Sequence, residues 1–219
     1  MSARHILCVL SAVLVTTWAL LNATLALARA SADPCPDIEV VFARGTGEPP
    51  GIGSFGQAFV DALRAIVGGR SVGVYAVNYP ASNDFRASAP AGAWDASAHV
   101  QSMAANCPST RQVLGGMSQG AGVIDLIAIA APISGYAPVS MPPEVADHVA
   151  AVVLFGNPSR TFPGGGPLDA ISPLYGPKTL DLCAPGDPFC GGGIDIFAHL
   201  SYVANGMVGQ AAAFAASRL

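Results

Sequence analysis

Ser118 is the residue whose setting points most directly to chemistry, because it lies in the pentapeptide Gly-Met-Ser-Gln-Gly at positions 116–120. An apolar run precedes the pentapeptide and small apolar residues follow it, which is typical of a strand, a tight turn and a helix. A serine at such a turn is held out of the sheet at the positive end of the helix, where it can act as a nucleophile. A Cβ on Gly116 or Gly120 would collide with nearby backbone in so tight a turn. Because Gly and Ser are common in this chain, the pentapeptide indicates catalysis only if a base, an acid and oxyanion donors accompany it.

A serine hydroxyl is a poor nucleophile until a base takes its proton. Three histidines follow the first 32 residues: His99, His148 and His199. His99 falls in a predicted helix before the serine, and His148 precedes a strand at the wrong edge of the sheet. His199 follows the last predicted loop on the correct edge, and it fits the chain order serine, acid, histidine that accompanies this type of turn. We therefore predict His199 as the base.

An acidic side chain should orient the imidazole and stabilise its cation. Asp187 lies in a Pro-Gly-Asp-Pro loop, inside the ring that a bond between Cys183 and Cys190 would close. A clamped loop is a rigid place to hold a carboxylate, so Asp187 is the predicted acid. Asp195 is the alternative, although it would share the approach to the last helix with the histidine.

The cleavage of an ester passes through an oxyanion, which needs hydrogen-bond donors already in place. The backbone N–H of Gln119, directly after the nucleophile, is the first predicted donor. Thr46, in the Arg-Gly-Thr-Gly loop after the first predicted strand, offers both an N–H and a hydroxyl. This loop is not a phosphate-binding loop, because no Gly-Lys-Ser or Gly-Lys-Thr follows it.

Five strands must position these residues, and most of them are nearly continuous apolar runs. Such strands, alternating with helices, indicate an α/β fold with a mainly parallel sheet and helices on both faces. The active site of such a sheet lies at the carboxyl ends of its strands, so Thr46, Ser118 and the loop after Cys183 should meet at one edge. The predicted strands are Ile38–Ala43, Val72–Tyr79, a strand that ends at Met117, Val149–Phe155 and Lys178–Cys183.

The predicted helices connect these strands and complete the chain. The segments at 81–92, 132–143, 159–177 and 184–198 contain turn-forming residues and are predicted as loops. The helices are predicted from Ser54 to Val67, Ala93 to Asn106, Gln119 to about Ala130, Glu144 to His148 and His199 to Leu219.

The first 32 residues have the pattern of a secretory signal. Arg4 and His5 precede an apolar run, and Ala30-Ser31-Ala32 supplies small residues at −3 and −1, so that cleavage after Ala32 or after Ala30 fits. The run is long for a signal, and an uncleaved membrane anchor is the alternative. Without this segment 8 basic and 14 acidic residues remain, a net charge of −6. No basic cluster survives, which argues against a nucleic-acid partner.

Four cysteines remain after the predicted signal, and an even number in a secreted chain suggests two disulfides. Cys183 and Cys190 close a short local loop, which leaves Cys35 to pair with Cys107. No Cys-x-x-Cys motif or histidine pair with ligand spacing occurs, so a metal site is not expected.

Four motifs in this order resemble the cutinase family. They are Ala-Arg-Gly-Thr-Gly-Glu at 43–48, Gly-Met-Ser-Gln-Gly-Ala at 116–121, Gly-Asp-Pro-Phe-Cys at 186–190, and His199. The chain is most similar to the secreted cutinase-like esterases of mycobacteria and related actinobacteria, from Cys35 to the C-terminus. The resemblance implies one catalytic domain over 33–219, a small α/β-hydrolase with no lid domain. It also implies action on carboxylic esters, with no cofactor.

The resemblance assigns Ser118, Asp187 and His199 to a catalytic triad, and Thr46 and Gln119 to the oxyanion hole. It also supports the cysteine pairing given above. Fungal cutinases usually have Tyr where Met117 stands and Ser where Thr46 stands, and the loop at 133–143 is longer here. These departures argue against cutin itself as the substrate.

The loop before His199 carries four apolar side chains that we predict to rim the site. Such a rim would hold a short or medium acyl chain and favour transient contact with a lipid or cell-wall surface. The alternative is that these residues pack on the last helix. They are Phe189, Ile194, Ile196 and Phe197.

The leading hypothesis is a monomeric, secreted serine esterase, extracellular or associated with the cell wall. An acyltransferase is the second hypothesis, because an alcohol can replace water at an acyl-enzyme. A non-catalytic module that binds lipid or cell wall is the third, since fold does not fix function.

Overall fold

The chain folds around a five-stranded sheet in which all four strand pairs are parallel. The structure is a computed structural model that describes residues 35–219, so the predicted signal at 1–32 lies outside the described residues. The spatial order of the strands is β2-β1-β3-β4-β5. The strands are β1 (Ile38–Ala43), β2 (Val72–Ala76), β3 (Arg111–Met117), β4 (Val149–Phe155) and β5 (Thr179–Leu182).

Strand register brings the carboxyl ends of four strands to one edge. Ala43 of β1 lies opposite Gly116 of β3, and Phe155 of β4 lies opposite both Met117 of β3 and Leu182 of β5. The loops that follow these strands therefore leave the sheet side by side, as the parallel arrangement predicts.

Helices cover both faces of this sheet, as predicted. One face packs a cluster that includes Val41, Leu114 and Ile124, and the other packs a cluster that includes Phe42 and Phe59. Within residues 35–219, no helix has the length and apolar character needed to span a membrane. The α-helices are α1 (Gly53–Val67), α2 (Phe85–Asn106), α3 (Gln119–Ala128), α4 (Leu168–Ile171) and α5 (Met207–Ala216).

Helix α2 begins at Phe85, and the predicted start at Ala93 is wrong. Asp84 caps the helix by accepting a hydrogen bond from the N–H of Ala87 at 3.3 Å. Pro90 lies inside the helix, and a proline there normally favours a turn. The added turns persist because their small residues pack closely. A Cβ on Gly92, for example, would lie 2.9 Å from Cγ2 of Val123. Tertiary packing therefore overrides the local turn signals.

The predicted helix from His199 to Leu219 is wrong in its first part. Residues Ala198–Leu200 form a 3₁₀ turn, and α5 starts only after Gly206, which has a φ of 84°. The side chain of Asn205 accepts a hydrogen bond from the N–H of Met207 at 3.1 Å. The Asn-Gly pair therefore separates the histidine from the helix.

The remaining differences are small. Strand β2 ends at Ala76 instead of Tyr79, and α3 ends at Ala128. The predicted helical turns before β4 form a 3₁₀ helix at Pro143–His148. The segment at 159–177, predicted as loop, also contains α4 and two 3₁₀ turns, at Pro158–Thr161 and Gly176–Lys178.

Candidate active site

Ser118 occupies a strained turn between β3 and α3. Its backbone has φ 54° and ψ −118°, a conformation that L-residues rarely adopt outside functional sites. A Cβ on Gly116 would lie 2.3 Å from the carbonyl oxygen of Gly120, and a Cβ on Gly120 would lie 2.0 Å from that of Ala43. Both glycines are therefore required by close backbone contacts, as predicted from the pentapeptide. The turn is fixed to the sheet because the N–H of Ser118 donates to the carbonyl of Phe155 at 2.9 Å.

His199 and Asp187 are paired. Nδ1 of the imidazole lies 2.7 Å from Oδ2 of the carboxylate, and only 6% of His199 and 0% of Asp187 is exposed. Burial alone would raise the pKa of Asp187. Hydrogen bonds from Tyr202, His199 and the N–H of Phe189 outweigh burial, so the pKa lies below its ordinary value. The carboxylate can then only accept, which places the hydrogen on Nδ1 and leaves Nε2 free to take a proton.

Two aromatic residues and one glycine shape the pocket of the imidazole. The ring centroid of Phe189 lies 4.4 Å from that of His199. Gly156, with a φ of 59°, lies directly against the imidazole, since a Cβ there would be 2.6 Å from Cε1 of His199. The hydroxyl of Tyr202 donates to Oδ2 of Asp187 at 2.7 Å. The sequence does not reveal the tyrosine, because it falls in a segment predicted as helix.

The loop that carries Asp187 is closed by the predicted disulfide. Cys183 and Cys190 are bonded with Cα atoms 5.7 Å apart. Cys35 and Cys107 are both disulfide-bonded as well. Asp195, the alternative acid, is exposed and accepts a hydrogen bond from the N–H of Phe197 at 2.9 Å. It caps a local turn, whereas Asp187 contacts the imidazole.

The loop after β1 that carries Thr46 is held by hydrogen bonds of the residues before and after the threonine. Arg44 is buried, and its guanidinium donates to the carbonyls of Glu48 and Tyr79, each at 2.8 Å. The hydroxyl of Tyr79 donates back to the carbonyl of Arg44. The carboxylate of Glu48 accepts from the N–H of Gly45 at 2.7 Å. These contacts, which the sequence does not reveal, fix the position of Thr46.

Gln119 is the first residue of α3, so its N–H has no carbonyl partner inside the helix. Its side chain is held away from this N–H. The amide oxygen accepts from the hydroxyl of Ser88 at 2.9 Å, and the amide nitrogen donates to the carbonyl of Ser82 at 2.8 Å. The backbone N–H is therefore held at a fixed place next to Ser118.

A cavity of about 680 Å³ brings these residues together. Thr46, Ser118, Gln119 and His199 all line it, while the carboxylate of Asp187 is buried behind the histidine. None of the described residues that line the cavity is a lysine or an arginine. Its apolar wall includes Phe55, Phe85, Leu126, Ile133, Phe162 and Leu200.

Of the four side chains predicted to rim the site, two line the cavity and two do not. Phe189 and Ile196 line the cavity. Ile194 and Phe197 lie outside the cavity lining and are 99% and 77% exposed. Only two of the four predicted side chains therefore line the site.

The two other histidines lie away from the cavity. His99 lies 3.1 Å from the carboxylate of Glu39 and stacks on Tyr75 with ring centroids 3.5 Å apart. His148 ends the 3₁₀ helix before β4, at the opposite edge of the sheet. Within the described range 35–219, no three His, Cys, Asp or Glu side chains cluster closely enough to hold a metal ion.

Two buried acidic side chains, Asp125 and Asp181, lie near each other and outside the cavity lining. Asp125 of α3 is fully buried, and burial raises its pKa to about 8, with the nearby carboxylate of Asp181 acting in the same direction. Asp181 accepts from the side chain of Asn157 at 2.8 Å and from the N–H of Leu168 at 2.9 Å. It also lies 3.3 Å from the guanidinium of Arg160. Burial raises the pKa of Asp181 as well.

The parallel sheet, its helices on both faces and the serine turn after its central strand define a small α/β-hydrolase. The sequence model of the family Cutinase matches residues 34–219, and the chain belongs to the cutinase family. This confirms both the predicted fold class and the resemblance.

Relatives of this chain act on esters. Carboxylesterase Culp1 of Mycobacterium tuberculosis is 57% identical over 223 residues, which cover 100% of this chain and 98% of the relative. Phospholipase Culp4 of the same organism is 54% identical over 202 residues, covering 90% and 87%. These likenesses identify the chain as a carboxylic ester hydrolase.

Solved structures are also similar. The cutinase of Trichoderma reesei in complex with a phosphonate inhibitor has a TM-score of 0.67 and 33% identity, with 90% of this chain and 84% of that chain covered. The catalytic core domain of acetyl xylan esterase from Trichoderma reesei has a TM-score of 0.73 and 25% identity, covering 84% and 100%.

Proposed function

We propose that this chain is a serine esterase that works through an acyl-enzyme on Ser118. The hydroxyl oxygen attacks the ester carbonyl carbon while Nε2 of His199 takes the hydroxyl proton. Asp187 stabilises the imidazolium that forms. The N–H of Gln119 and the N–H or hydroxyl of Thr46 donate to the oxyanion of the tetrahedral intermediate.

The second half of the cycle repeats these steps with water. As the intermediate collapses, His199 gives its proton to the leaving alcohol and the acyl group remains on Ser118. The imidazole then takes a proton from water, the hydroxide attacks the acyl carbon, and the carboxylic acid leaves as the serine regains its proton. In each half the imidazole takes up one proton and gives it up again, and water replaces the proton that the serine lost to the alcohol.

One observation carries this proposal. His199 lines the same cavity as Ser118, and its Nδ1 lies 2.7 Å from the buried carboxylate of Asp187. The strained backbone of the serine is a second support, since strain of this kind persists mainly at functional sites.

The substrate that we propose is a neutral ester with a short or medium acyl chain. The cavity wall is mainly apolar, so each buried CH₂ would contribute about 0.8 kcal/mol. Glu48 also lines the cavity, and without a lysine or an arginine among the described lining residues an anionic group beside the ester would be disfavoured.

We also propose that the protein is secreted and acts as a monomer. The disulfide-bonded cysteines at 35, 107, 183 and 190 support an oxidising compartment. Exposed apolar side chains in and after the loop before His199, such as Ile194, Phe197 and Leu200, support transient contact with a lipid or cell-wall surface.

The test is covalent labelling with a fluorophosphonate, followed by mass spectrometry of the labelled peptide. We expect the label on Ser118, and we expect Ser118→Ala to lose both the label and nearly all esterase activity. Ser102→Ala, at an exposed position on α2, is the matched control and should keep both. Retention of more than a few per cent of activity in Ser118→Ala would refute the mechanism. Product analysis with water and with glycerol as acceptor then separates hydrolysis from acyl transfer.

A further inference from the structure

Tyr202 places its hydroxyl at the centre of the loop that carries the proposed catalytic acid. The side chain is fully buried, with 0% exposed. Its oxygen accepts a hydrogen bond from the N–H of Ala184 at 3.0 Å and lies 3.4 Å from Sγ of Cys190. The hydroxyl thus contacts the residue after the first cysteine of the disulfide ring, the carboxylate inside the ring and the cysteine that closes it.

The hydroxyl of Tyr202 is the donor in its contact with the carboxylate of Asp187. The phenol has a single hydrogen, and the N–H of Ala184 already donates to its oxygen. That hydrogen is therefore directed at Oδ2 of Asp187, 2.7 Å away. Burial raises the pKa of Tyr202, which keeps the phenol protonated and able to donate.

The carboxylate of Asp187 is held by three donors. Oδ2 accepts from both His199 and Tyr202, each at 2.7 Å, and Oδ1 accepts from the N–H of Phe189 at 2.8 Å. Three donors on two oxygens fix the plane of the carboxylate, because rotation about the side chain would break at least one of these bonds.

The phenol ring is itself immobilised by packing. Its centroid lies 5.8 Å from the ring of Phe155 at the end of β4 and 6.5 Å from that of Phe55 on α1, both with edge-to-face geometry. The ring is therefore anchored to the sheet and to α1, which lie outside the loop that carries the acid.

We propose that Tyr202 is a positioning residue for ester hydrolysis. Its hydroxyl holds Oδ2 of Asp187 in the orientation in which it contacts the imidazole of His199. This inference rests on the proposed triad and adds a fourth side chain to it. The tyrosine touches neither substrate nor the serine and acts only through the acid. Without the hydroxyl, the carboxylate would turn, and the imidazole would lose its fixed orientation.

The hydroxyl also bears on the pH dependence of activity. Asp187 faces His199 and Tyr202, and Asp181 is the further charged group near the phenol. Losing a donor raises the pKa of Asp187 towards the value that burial alone would give. The acidic limb of the kcat/KM profile should then move to higher pH.

The test variant is Tyr202→Phe, which keeps the ring and removes one oxygen. We expect kcat to fall by roughly 10- to 100-fold with little change in KM, and the acidic limb to shift upward. Tyr175→Phe is the matched control. It also removes a buried hydroxyl, one without a hydrogen-bond partner among the described residues, and it lies outside the cavity lining. This control should keep wild-type kcat and pH profile.

Active-site titration with a phosphonate normalises each rate to the folded fraction, so a loss of folding cannot imitate a loss of kcat. In an Asp187→Asn background, adding Tyr202→Phe should change kcat by less than about twofold, because the two residues act as a unit. A lower melting temperature with unchanged kcat and pH profile would show that Tyr202 is only structural. The labelling of Ser118 is measured separately, so failure of the proposed serine mechanism can be distinguished from failure of the proposed role of Tyr202.

Discussion

Gly156 lies in direct contact with the imidazole of His199. A Cβ at this position would lie 2.6 Å from Cε1 and 2.8 Å from Nδ1 of the ring. Gly156 follows the last residue of β4, and its N–H donates to the carbonyl of Leu182 at 3.0 Å, so the backbone cannot easily withdraw. The imidazole would have to move instead, away from the 2.7 Å contact with Asp187.

We therefore expect Gly156→Ala to lower kcat by at least about 100-fold, because small displacements of a catalytic group have large effects. Gly68→Ala is the matched control. Gly68 has a φ of 69°, close to the 59° of Gly156, but a Cβ added to Gly68 would have no atom within 4 Å among the described residues. Both variants should lose stability through backbone strain, and only Gly156→Ala should lose activity. Equal kcat values in folded protein would contradict the steric argument.

The alternation of strands and helices was predictable because local apolar patterns carry it. Strands β1 and β4 occur with the predicted bounds. Because Ser118, Asp187 and His199 all follow carboxyl ends of predicted strands, the sequence predicts these three residues at one edge of the sheet. The start of α2 was not predictable. Its proline and polar residues favour a turn, and the cap at Asp84 together with packing against α3 stabilises the additional helical turns.

The supporting contacts of the site were not predictable from sequence either. Tyr202 reaches Asp187 because a turn separates it from α5, and the pattern predicts a continuous helix there. Gly156 reads as a strand terminator, with no sign of the imidazole beside it. Asp125 did leave a signal, since it is a lone acid in an apolar helix, but the partner Asp181 is 56 positions later.

The buried pair of Asp125 and Asp181 makes stability depend on pH. The folded-state pKa of Asp125 is about 8, above its ordinary value of 3.8. Between these values the folded protein holds a proton that the unfolded chain has lost. Through Asp125 alone, the free energy of unfolding therefore falls as pH rises through this window, by at most about 1.4 kcal/mol per pH unit, and this effect levels off above the window.

Asp125→Asn should remove the contribution of Asp125 to this slope, leaving that of Asp181, whose pKa is also raised. Urea unfolding from pH 5 to pH 8 measures the difference, and the variant should gain stability relative to wild type as pH rises. Asp169→Asn, at an exposed position on α4, should follow the wild-type curve. Parallel curves for Asp125→Asn and wild type would show that Asp125 is ionised in the folded protein.

The disulfide between Cys183 and Cys190 should matter more for turnover than for folding. The short ring contributes about 2.5 kcal/mol by chain entropy, yet it encloses Asp187. We expect the variant Cys183→Ser/Cys190→Ser to remain folded and lose kcat, and mild reduction of the wild type to inactivate before it unfolds.

The variant Cys35→Ser/Cys107→Ser is the control for that experiment. Its longer ring should contribute about 4 kcal/mol to stability, but Cys35 and Cys107 lie outside the cavity lining. This variant should lose more stability and keep kcat per folded enzyme. Wild-type kcat in Cys183→Ser/Cys190→Ser would show that Tyr202 and Phe189 hold the carboxylate without help from the ring.

The acyl preference should depend on Ile196 and not on Ile194, although the two residues are neighbours in one loop. Ile196 lines the cavity, whereas Ile194 lies outside the lining and is 99% exposed. An acyl chain in the cavity gains about 0.8 kcal/mol for each CH₂ it buries, so kcat/KM should rise over the first several carbons and then level off.

Ile196→Ser replaces part of the apolar wall with a hydroxyl and should lower kcat/KM for medium chains by roughly tenfold, with acetate esters little affected. A series of p-nitrophenyl esters measures both profiles. The same series with Ile194→Ser is the matched control, and its profile should equal that of the wild type. An unchanged profile in Ile196→Ser would mean that the acyl chain lies along another wall of the cavity.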